Sequence, residues 1–188
     1  MGMDVHGINP KQNKSIENYP LLKQMKELEK KEEWKKRREL LDNDEISNKY
    51  WKELDEFEGE NKGIYFRNNC WWWRPLWDYC RILAPDLIDD ELYQSGHHND
   101  GAGLDEAGAK ELGQRLLKEI ANGNTIKYQA EYQQRQEDAT SVPPSKDNFL
   151  DGTDTYIEDE WVAQYPFDVD NVTEFANFCL ECGGFEIC

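Results

Sequence analysis

The chain has 188 residues, seven of them tryptophan, and a formal net charge of -17 from 39 acidic and 22 basic side chains. This length is sufficient for one domain with a substantial core. An aromatic fraction of 12% is typical of a packed protein, although the mean hydropathy is -0.95. A surface this acidic repels nucleic-acid phosphates and argues against DNA or RNA polymers as partners. It suits solubility, a basic protein partner or the mimicry of a polyanion.

The charge is unevenly distributed along the chain. Residues 11–62 carry 13 basic and 14 acidic side chains, whereas residues 63–188 carry 9 basic and 24 acidic ones. The five cysteines are accompanied by no signal-peptide pattern and by no apolar run of membrane-spanning length. We therefore expect a cytoplasmic protein with reduced thiols and no membrane partner.

The N-terminal third of the chain is predicted to contain a strand and a helical insertion. Residues 3–8 alternate weakly between apolar and polar and indicate a short strand that ends at Asn9-Pro10. Residues 16–58 combine acid-first i,i+4 ion pairs with an apolar repeat at three- and four-residue steps between positions 46 and 57. This pattern predicts a charged helical hairpin in which the first helix has little to bury.

The most aromatic stretch runs from Ile64 to Tyr79, where seven of sixteen residues are aromatic. It predicts a strand over 64–67 and a turn at Asn68-Asn69. A helix is expected from about Arg74 to Leu83, because proline is tolerated only in the first turn and the next residue is Pro75.

This stretch is also the first part of a candidate ligand site. Nucleoside rings stack on indole faces, and arginine binds phosphate in a bidentate geometry. Three consecutive tryptophans cannot all face one way, so at least one is expected in the core. The alternative is that all the tryptophans are core residues and that the arginines pair with carboxylates. The predicted ligand-binding residues here are Arg67, Asn68, Asn69, Trp72, Trp73 and Arg74.

The second part of the candidate site immediately precedes a predicted amphipathic helix that is capped by Asp105. Backbone N–H groups at a helix start attract anions, and histidine can donate a hydrogen bond to phosphate. Ordinary turn chemistry is the alternative interpretation. The predicted ligand-binding residues here are His97, His98, Asn99 and Asp100.

The C-terminal half is predicted to contain a polar helix from about 125 to 137, an acidic loop over 138–160, and a last helix capped by Asp170. Gly183-Gly184 end that helix, and residues 185–188 form a terminal strand that pairs with the N-terminal one. The expected fold is α+β and helix-rich. It is a single domain, 1–188, in which the N- and C-terminal strands form a small antiparallel sheet packed with helices, plus the hairpin insertion at 16–58.

Metal sites and cofactors are not predicted. Asp4 and His6 could join His97 and Asp100 around a metal, but no HxxxH or HExxH spacing supports this. Cys179 and Cys182 form a lone CxxC, which lacks the further ligands that a structural zinc requires. Residues 147–158 resemble a calcium-binding loop, yet phenylalanine occupies its third position.

Four segments together resemble a family of phage-encoded and bacterial proteins. They are MGMDVHG at 1–7, YFRNNCWWWRPLW at 65–77, NDGAGLD at 99–105 and CGGFEIC at 182–188. Members of that family run from the first motif almost directly into the second, which implies that residues 16–58 are an insertion. Some members carry additional CxxC pairs where this chain has its acidic loop, which further weakens a zinc site here. The resemblance implies a phage context and brings no activity with it.

Together these features predict a non-catalytic binder of a small nucleotide-like anion. In a phage it would act in the host cytoplasm as a counter-defence protein that sequesters an immune signalling nucleotide. The absence of any standard catalytic motif favours sequestration over turnover. Two alternatives stay open: an acidic inhibitor or DNA mimic directed at a host defence protein, and a metal-dependent hydrolase. The oligomeric state is also open, a homo-oligomer included.

Overall fold

The computed structural model describes residues 2–141 and 165–188. Most of the predicted acidic loop and the whole calcium-loop-like segment 147–158 therefore lie outside the described residues.

Four short strands form one antiparallel sheet in the order β2-β1-β4-β3. They are β1 (Gly2–Gly7), β2 (Tyr65–Asn69), β3 (Ala102–Leu104) and β4 (Phe185–Ile187). In the register, Val5 lies opposite Phe66 on one side and opposite Ile187 on the other. The predicted pairing of the N- and C-terminal strands is thereby confirmed.

One face of the sheet packs on helices and the other is polar. Alternation along each strand places Met3 and Val5 in the core, whereas the alternate residue His6 is exposed. Four of the described helices contact the strands: α4 (Cys70–Leu83), α5 (Asp90–Ser95), α6 (Glu106–Ala121) and α8 (Val169–Glu181). The helix α7 (Asn124–Ser141) packs on α6 and α8, and these two form the most extensive helix pair.

The helix α4 begins earlier than predicted, because Asn69 caps it. The Asn69 Oδ1 accepts hydrogen bonds from the backbone N–H groups of Trp71 and Trp72, each 3.0 Å long. Pro75 therefore lies inside the helix and not in its first turn. The prediction of a start at Arg74 was wrong, and Asn68-Asn69 end β2 where a separate turn was expected. A strong cap and the buried aromatic face of α4 together offset the proline.

Two other helix ends follow from local sequence. Asp105 caps α6 as predicted, accepting a 2.8 Å hydrogen bond from the Gly108 N–H. The cap of α8 is Asp168 and not Asp170, since the Asp168 Oδ1 accepts from the Asp170 N–H at 3.1 Å. Asp170 lies instead in the first turn, where a carboxylate is favoured by the helix dipole.

The segment 16–60 is helical, as expected, but it contains three α-helices with an apolar cluster of their own. They are α1 (Pro20–Lys30), α2 (Trp34–Leu41) and α3 (Asp44–Glu60). Glu32, at a φ of 55°, breaks the predicted first helix in two. The expectation that this helix has little to bury was wrong, because α1 and α3 enclose a set of fully or nearly fully buried side chains. These are Tyr19, Leu22, Met25, Leu28, Tyr50 and Phe57.

A buried carboxylate on α3 caps α1. The Glu53 Oε2 accepts hydrogen bonds from the N–H groups of Leu21 and Leu22, both 2.9 Å long. Glu53 is only 9% exposed. Because α1 has no cap from its own flanking side chain, Glu53 ties the two helices together.

Within residues 2–141 and 165–188, none of the helices combines the length and the apolar character that a bilayer crossing requires.

Candidate functional site

The two predicted parts of the site meet at Gly2. In the register of β1 and β2, Gly2 lies opposite Asn69. The Asn99 Nδ2 donates a 3.0 Å hydrogen bond to the Gly2 carbonyl. A β carbon placed on Gly2 would lie 3.4 Å from the Arg67 Nε. Arg67, Asn69 and Asn99 therefore surround Gly2, and we call these three side chains the Gly2 group.

The remaining predicted polar residues divide between structural and exposed positions. Asn68 is buried, and its Nδ2 donates to the Asn171 Oδ1 at 2.7 Å. The Asp100 Oδ1 accepts from the Ala102 N–H at 3.2 Å, which shapes the turn into β3. His98 is exposed. Asn68 thus contributes to packing, whereas His98 lies at the surface.

The three consecutive tryptophans occupy three different environments. Trp71 is 46% exposed, Trp72 is half-buried and Trp73 is fully buried. The Trp73 ring stacks on Trp77, and its N–H donates to the Gly96 carbonyl at 2.7 Å. The expectation that at least one tryptophan lies in the core is confirmed. Trp73, one of the two tryptophans predicted to contact a ligand, is that core residue, and its ring faces are not accessible to a ligand.

Trp71, Arg74 and Tyr165 form an aromatic–cation cluster on the outer side of α4. The Trp71 and Tyr165 rings lie 4.9 Å apart between centroids and are inclined by 30°. The Arg74 Nη1 donates to the Tyr165 hydroxyl at 3.0 Å, and its guanidinium carbon lies 5.5 Å from the centroid of that ring. We call these residues the Trp71–Arg74–Tyr165 cluster. It combines a partly exposed indole face with a positive charge.

His97 lies beside this cluster and is neutral at pH 7. Burial lowers its pKa to about 4, and the nearby charges of Arg74 and His98 act in the same direction. Its ring packs edge-on against Tyr93, with 4.9 Å between centroids. The Tyr93 hydroxyl donates to the Asp78 Oδ1 at 2.7 Å, and the His97 Nε2 lies 3.9 Å from the same oxygen. The buried His97 Nδ1 has no hydrogen-bond partner among the described residues.

The helix α7 adds a second cation on aromatic rings. The Arg135 guanidinium carbon lies 5.6 Å from the Tyr128 ring centroid and 5.3 Å from that of Tyr132. Burial raises the pKa of both phenols, and the charge of Asp78 raises both further. The Gln136 Nε2 donates to the Tyr165 carbonyl at 2.7 Å. This bond joins α7 to the segment that supplies Tyr165.

The residues of the hydrolase alternative do not converge. Asp4 accepts a short hydrogen bond from the Tyr65 hydroxyl and lies 3.6 Å from the Arg67 Nε, whereas His97 faces Asp78. No group of three histidine, cysteine or carboxylate side chains suited to a metal occurs within residues 2–141 and 165–188. Burial also raises the pKa of the Cys182 thiol to about 11, so this member of the CxxC is protonated.

Several residues near the site were missed by the sequence analysis. Trp71 and Asp78 are three residues before and four residues after Arg74, and they share its helix face. A helix beginning at Cys70 would have indicated this relationship. Arg135 and Tyr165 lie on distant segments, and no local pattern links them to α4.

Comparisons of the chain with protein-family models, with curated protein sequences and with solved structures found no match in any of the three. Function is therefore argued from the residues of the site.

Proposed function

We propose that the protein binds a small nucleotide-like anion without chemical turnover. In the phage context that the sequence motifs suggest, it would sequester an immune signalling nucleotide in the host cytoplasm. The observation that carries the proposal is the Trp71–Arg74–Tyr165 cluster, in which a partly exposed indole lies next to a guanidinium. Stacking of a base on an aromatic side chain contributes about 1–3 kcal/mol, and an arginine beside it can bind phosphate.

The Gly2 group supports the same ligand class. Arg67 supplies a second cation, which is exposed. The Asn69 Oδ1 already accepts from two N–H groups of α4 and the Asn99 Nδ2 already donates to Gly2, so these exposed amides offer the Asn69 Nδ2 as a donor and the Asn99 Oδ1 as an acceptor. Of the Gly2 group, Asn69 is the N-cap of α4, two residues before Trp71 and five before Arg74.

The charge distribution favours a small ligand over a polymer. A chain with a net charge of -17 repels an extended polyanion along its whole length. A compact anion experiences mainly the nearest charges, which here include Arg67 and Arg74, because exposed charges farther than about 8–10 Å are screened by salt.

The state of His97 supports binding rather than catalysis. A general base works best when its pKa lies near the operating pH. The pKa of His97 is lowered to about 4, so its ring is a weak proton acceptor at neutral pH. A neutral imidazole can still donate a hydrogen bond to a ligand or accept one from it.

The test is recovery of nucleotide from the protein. The purified protein is incubated with a panel of cyclic nucleotides and ADP-ribose derivatives, desalted and heat-denatured, and the released material is analysed by chromatography. Intact nucleotide in the supernatant supports sequestration, whereas altered nucleotide identifies an enzyme, including the hydrolase alternative. If the protein binds no nucleotide of the panel and alters none, the proposal is overturned.

Matched variants locate the binding. Trp71→Ala and Arg74→Gln should each reduce nucleotide recovery strongly. Trp34→Ala is the control, because Trp34 is also a surface tryptophan, at 53% exposure, but belongs to α2. Equal recovery by all three variants would place the ligand elsewhere.

A further inference from the structure

A groove of about 630 Å³ lies between β2, α3 and α8. All three elements contribute to its apolar lining: α3 provides Trp51 and Leu54, β2 provides Phe66, and α8 provides Phe178. Trp51 is 53% exposed, whereas Phe66 and Phe178 are buried and form the floor. The groove thus separates the apolar cluster of helices α1 and α3 from the main core.

The edge of the sheet opens into this groove. β2 is an outer strand, and the Gly7 N–H donates to the Ile64 carbonyl at 3.0 Å. Because hydrogen-bonded and non-hydrogen-bonded pairs alternate in an antiparallel ladder, Phe66 and Asn68 also direct their backbone groups toward β1. The N–H and C=O groups of Tyr65 and Arg67 therefore point away from β1, and both residues line the groove. Among the described residues, no backbone group forms a hydrogen bond with these outward N–H and C=O groups of Tyr65 and Arg67.

The rim of the groove carries a surplus of negative charge. Asp55 and Glu58 from α3 and Glu174 from α8 line it, against the cations Lys62 and Arg67. The charge of Arg67 is already partly balanced by Asp4, 3.6 Å away. The Glu58 carboxyl is partly withdrawn from water, and this burial raises its pKa. A cationic side chain placed there would be favoured electrostatically.

We infer that this groove binds an extended, cationic segment of a partner protein, which adds to the edge of β2 as a fifth strand. Main-chain hydrogen bonds to Tyr65 and Arg67 would supply affinity, and alternate side chains would reach the apolar floor and the acidic rim. The exposed Trp51 ring offers a cation–π surface for lysine or arginine. A second copy of the chain fits less well, because it brings the same net charge of -17 to an acidic rim.

The inference does not depend on the proposed nucleotide site. It uses the backbone of Arg67, whereas the nucleotide proposal uses the Arg67 side chain together with Trp71 and Arg74. Peptide binding should therefore be unchanged in Trp71→Ala, and nucleotide recovery should be unchanged in Trp51→Ala. The two proposals can fail separately.

The test uses the ¹⁵N-labelled full chain and two synthetic octapeptides as probes. One peptide alternates lysine with valine, and the other alternates glutamate with valine. The lysine peptide should shift the amide signals of Tyr65 and Arg67, slow their hydrogen exchange, and lose affinity as NaCl rises from about 0.05 M to about 0.5 M. No shift at these amides with the lysine peptide, or equal shifts with the glutamate peptide, would overturn the inference.

A double variant at the acidic rim tests the role of charge, and a pair of variants at Arg67 tests backbone pairing. The double variant Asp55→Lys/Glu58→Lys should weaken binding of the lysine peptide at least about fivefold, since like charges then face each other. Arg67→Pro removes the outward N–H, a change that edge strands tolerate, whereas Arg67→Ala keeps it. With circular dichroism confirming the fold, the lysine peptide should bind Arg67→Ala and lose binding to Arg67→Pro. Equal affinity for these two variants, or a protein already dimerised through β2 in sedimentation, would refute strand addition.

Discussion

Trp73 and Trp77 lie one helical turn apart on α4, with their rings stacked 5.4 Å between centroids and inclined by 15°. Each indole N–H donates to a backbone carbonyl at or beyond α5: Trp73 to Gly96 at 2.7 Å and Trp77 to Tyr93 at 3.1 Å. These bonds hold the segment that carries His97 against α4. The two core tryptophans therefore position the candidate site without being accessible to its ligand.

The tryptophan run should separate into core and site by mutation. Trp73→Ala removes a fully buried ring and should lower the free energy of unfolding by about 3–5 kcal/mol. Trp71→Ala alters a ring that is 46% exposed and should cost no more than about 1 kcal/mol. Urea denaturation followed by circular dichroism measures both. Similar losses in the two variants would contradict the assignment of Trp71 to the surface.

Gly96 should not tolerate a side chain. A β carbon at this position would lie 2.3 Å from the Trp77 Nε1, so we expect Gly96→Ala to cost about 1–3 kcal/mol through overpacking. Gly59→Ala is the matched control, since nothing lies within 4 Å of its β carbon and it is in α3. That change should stabilise the protein by up to about 1 kcal/mol. Thermal unfolding measures both changes, and a Tm of Gly96→Ala equal to that of Gly59→Ala would contradict the close packing at Gly96.

Glu53 should stabilise the helices α1 to α3 through its cap on α1. Glu53→Ala leaves the N–H groups of Leu21 and Leu22 without their acceptor. The expected loss is about 1–3 kcal/mol, with faster hydrogen exchange at both amides. Glu56→Ala removes an exposed carboxylate whose nearest cation is 3.8 Å away, and it should change stability by less than about 1 kcal/mol. Unchanged exchange at Leu21 and Leu22 in Glu53→Ala would disprove the capping role.

His97 should make stability depend on pH. Its pKa falls from about 6.5 to about 4 on folding, so the unfolded state binds more protons than the folded state between these values. The free energy of unfolding should therefore decrease as the pH is lowered through this window, and the contribution of His97 should be constant above it. In His97→Gln the decrease should be shallower. A profile unchanged by this substitution would show that His97 titrates normally.

The charge of Arg74 should be visible in the same titration. Arg74 contributes to lowering the pKa of His97, so Arg74→Gln should move that pKa upward, as followed by the imidazole signals in NMR. Arg67→Gln is the control, because Arg67 is not among the charges that act on His97. Equal shifts in both variants would argue for a long-range charge effect instead of proximity.

The parts of the fold that follow from local patterns were predictable from the sequence. The Asp105 cap and the two terminal strands rest on short-range signals of this kind. The pairing of those strands was inferred because a lone strand at either end of the chain needs a partner. The start of α4 was missed because Pro75 was given more weight than Asn69, the N-cap six residues before it. The capping of α1 by Glu53 and the contact of Tyr165 with Arg74 join distant segments, and a single sequence contains no pattern that reports such contacts.

The strand order also fixes when the sheet can assemble during synthesis. Among the described strands, β3 pairs only with β4, and β4 joins it to β1. Residues 185–187 leave the ribosome after every other described element, so until then β3 has no neighbour and only the β1–β2 ladder can form. Completion of the sheet therefore has to wait until β4 has been synthesised.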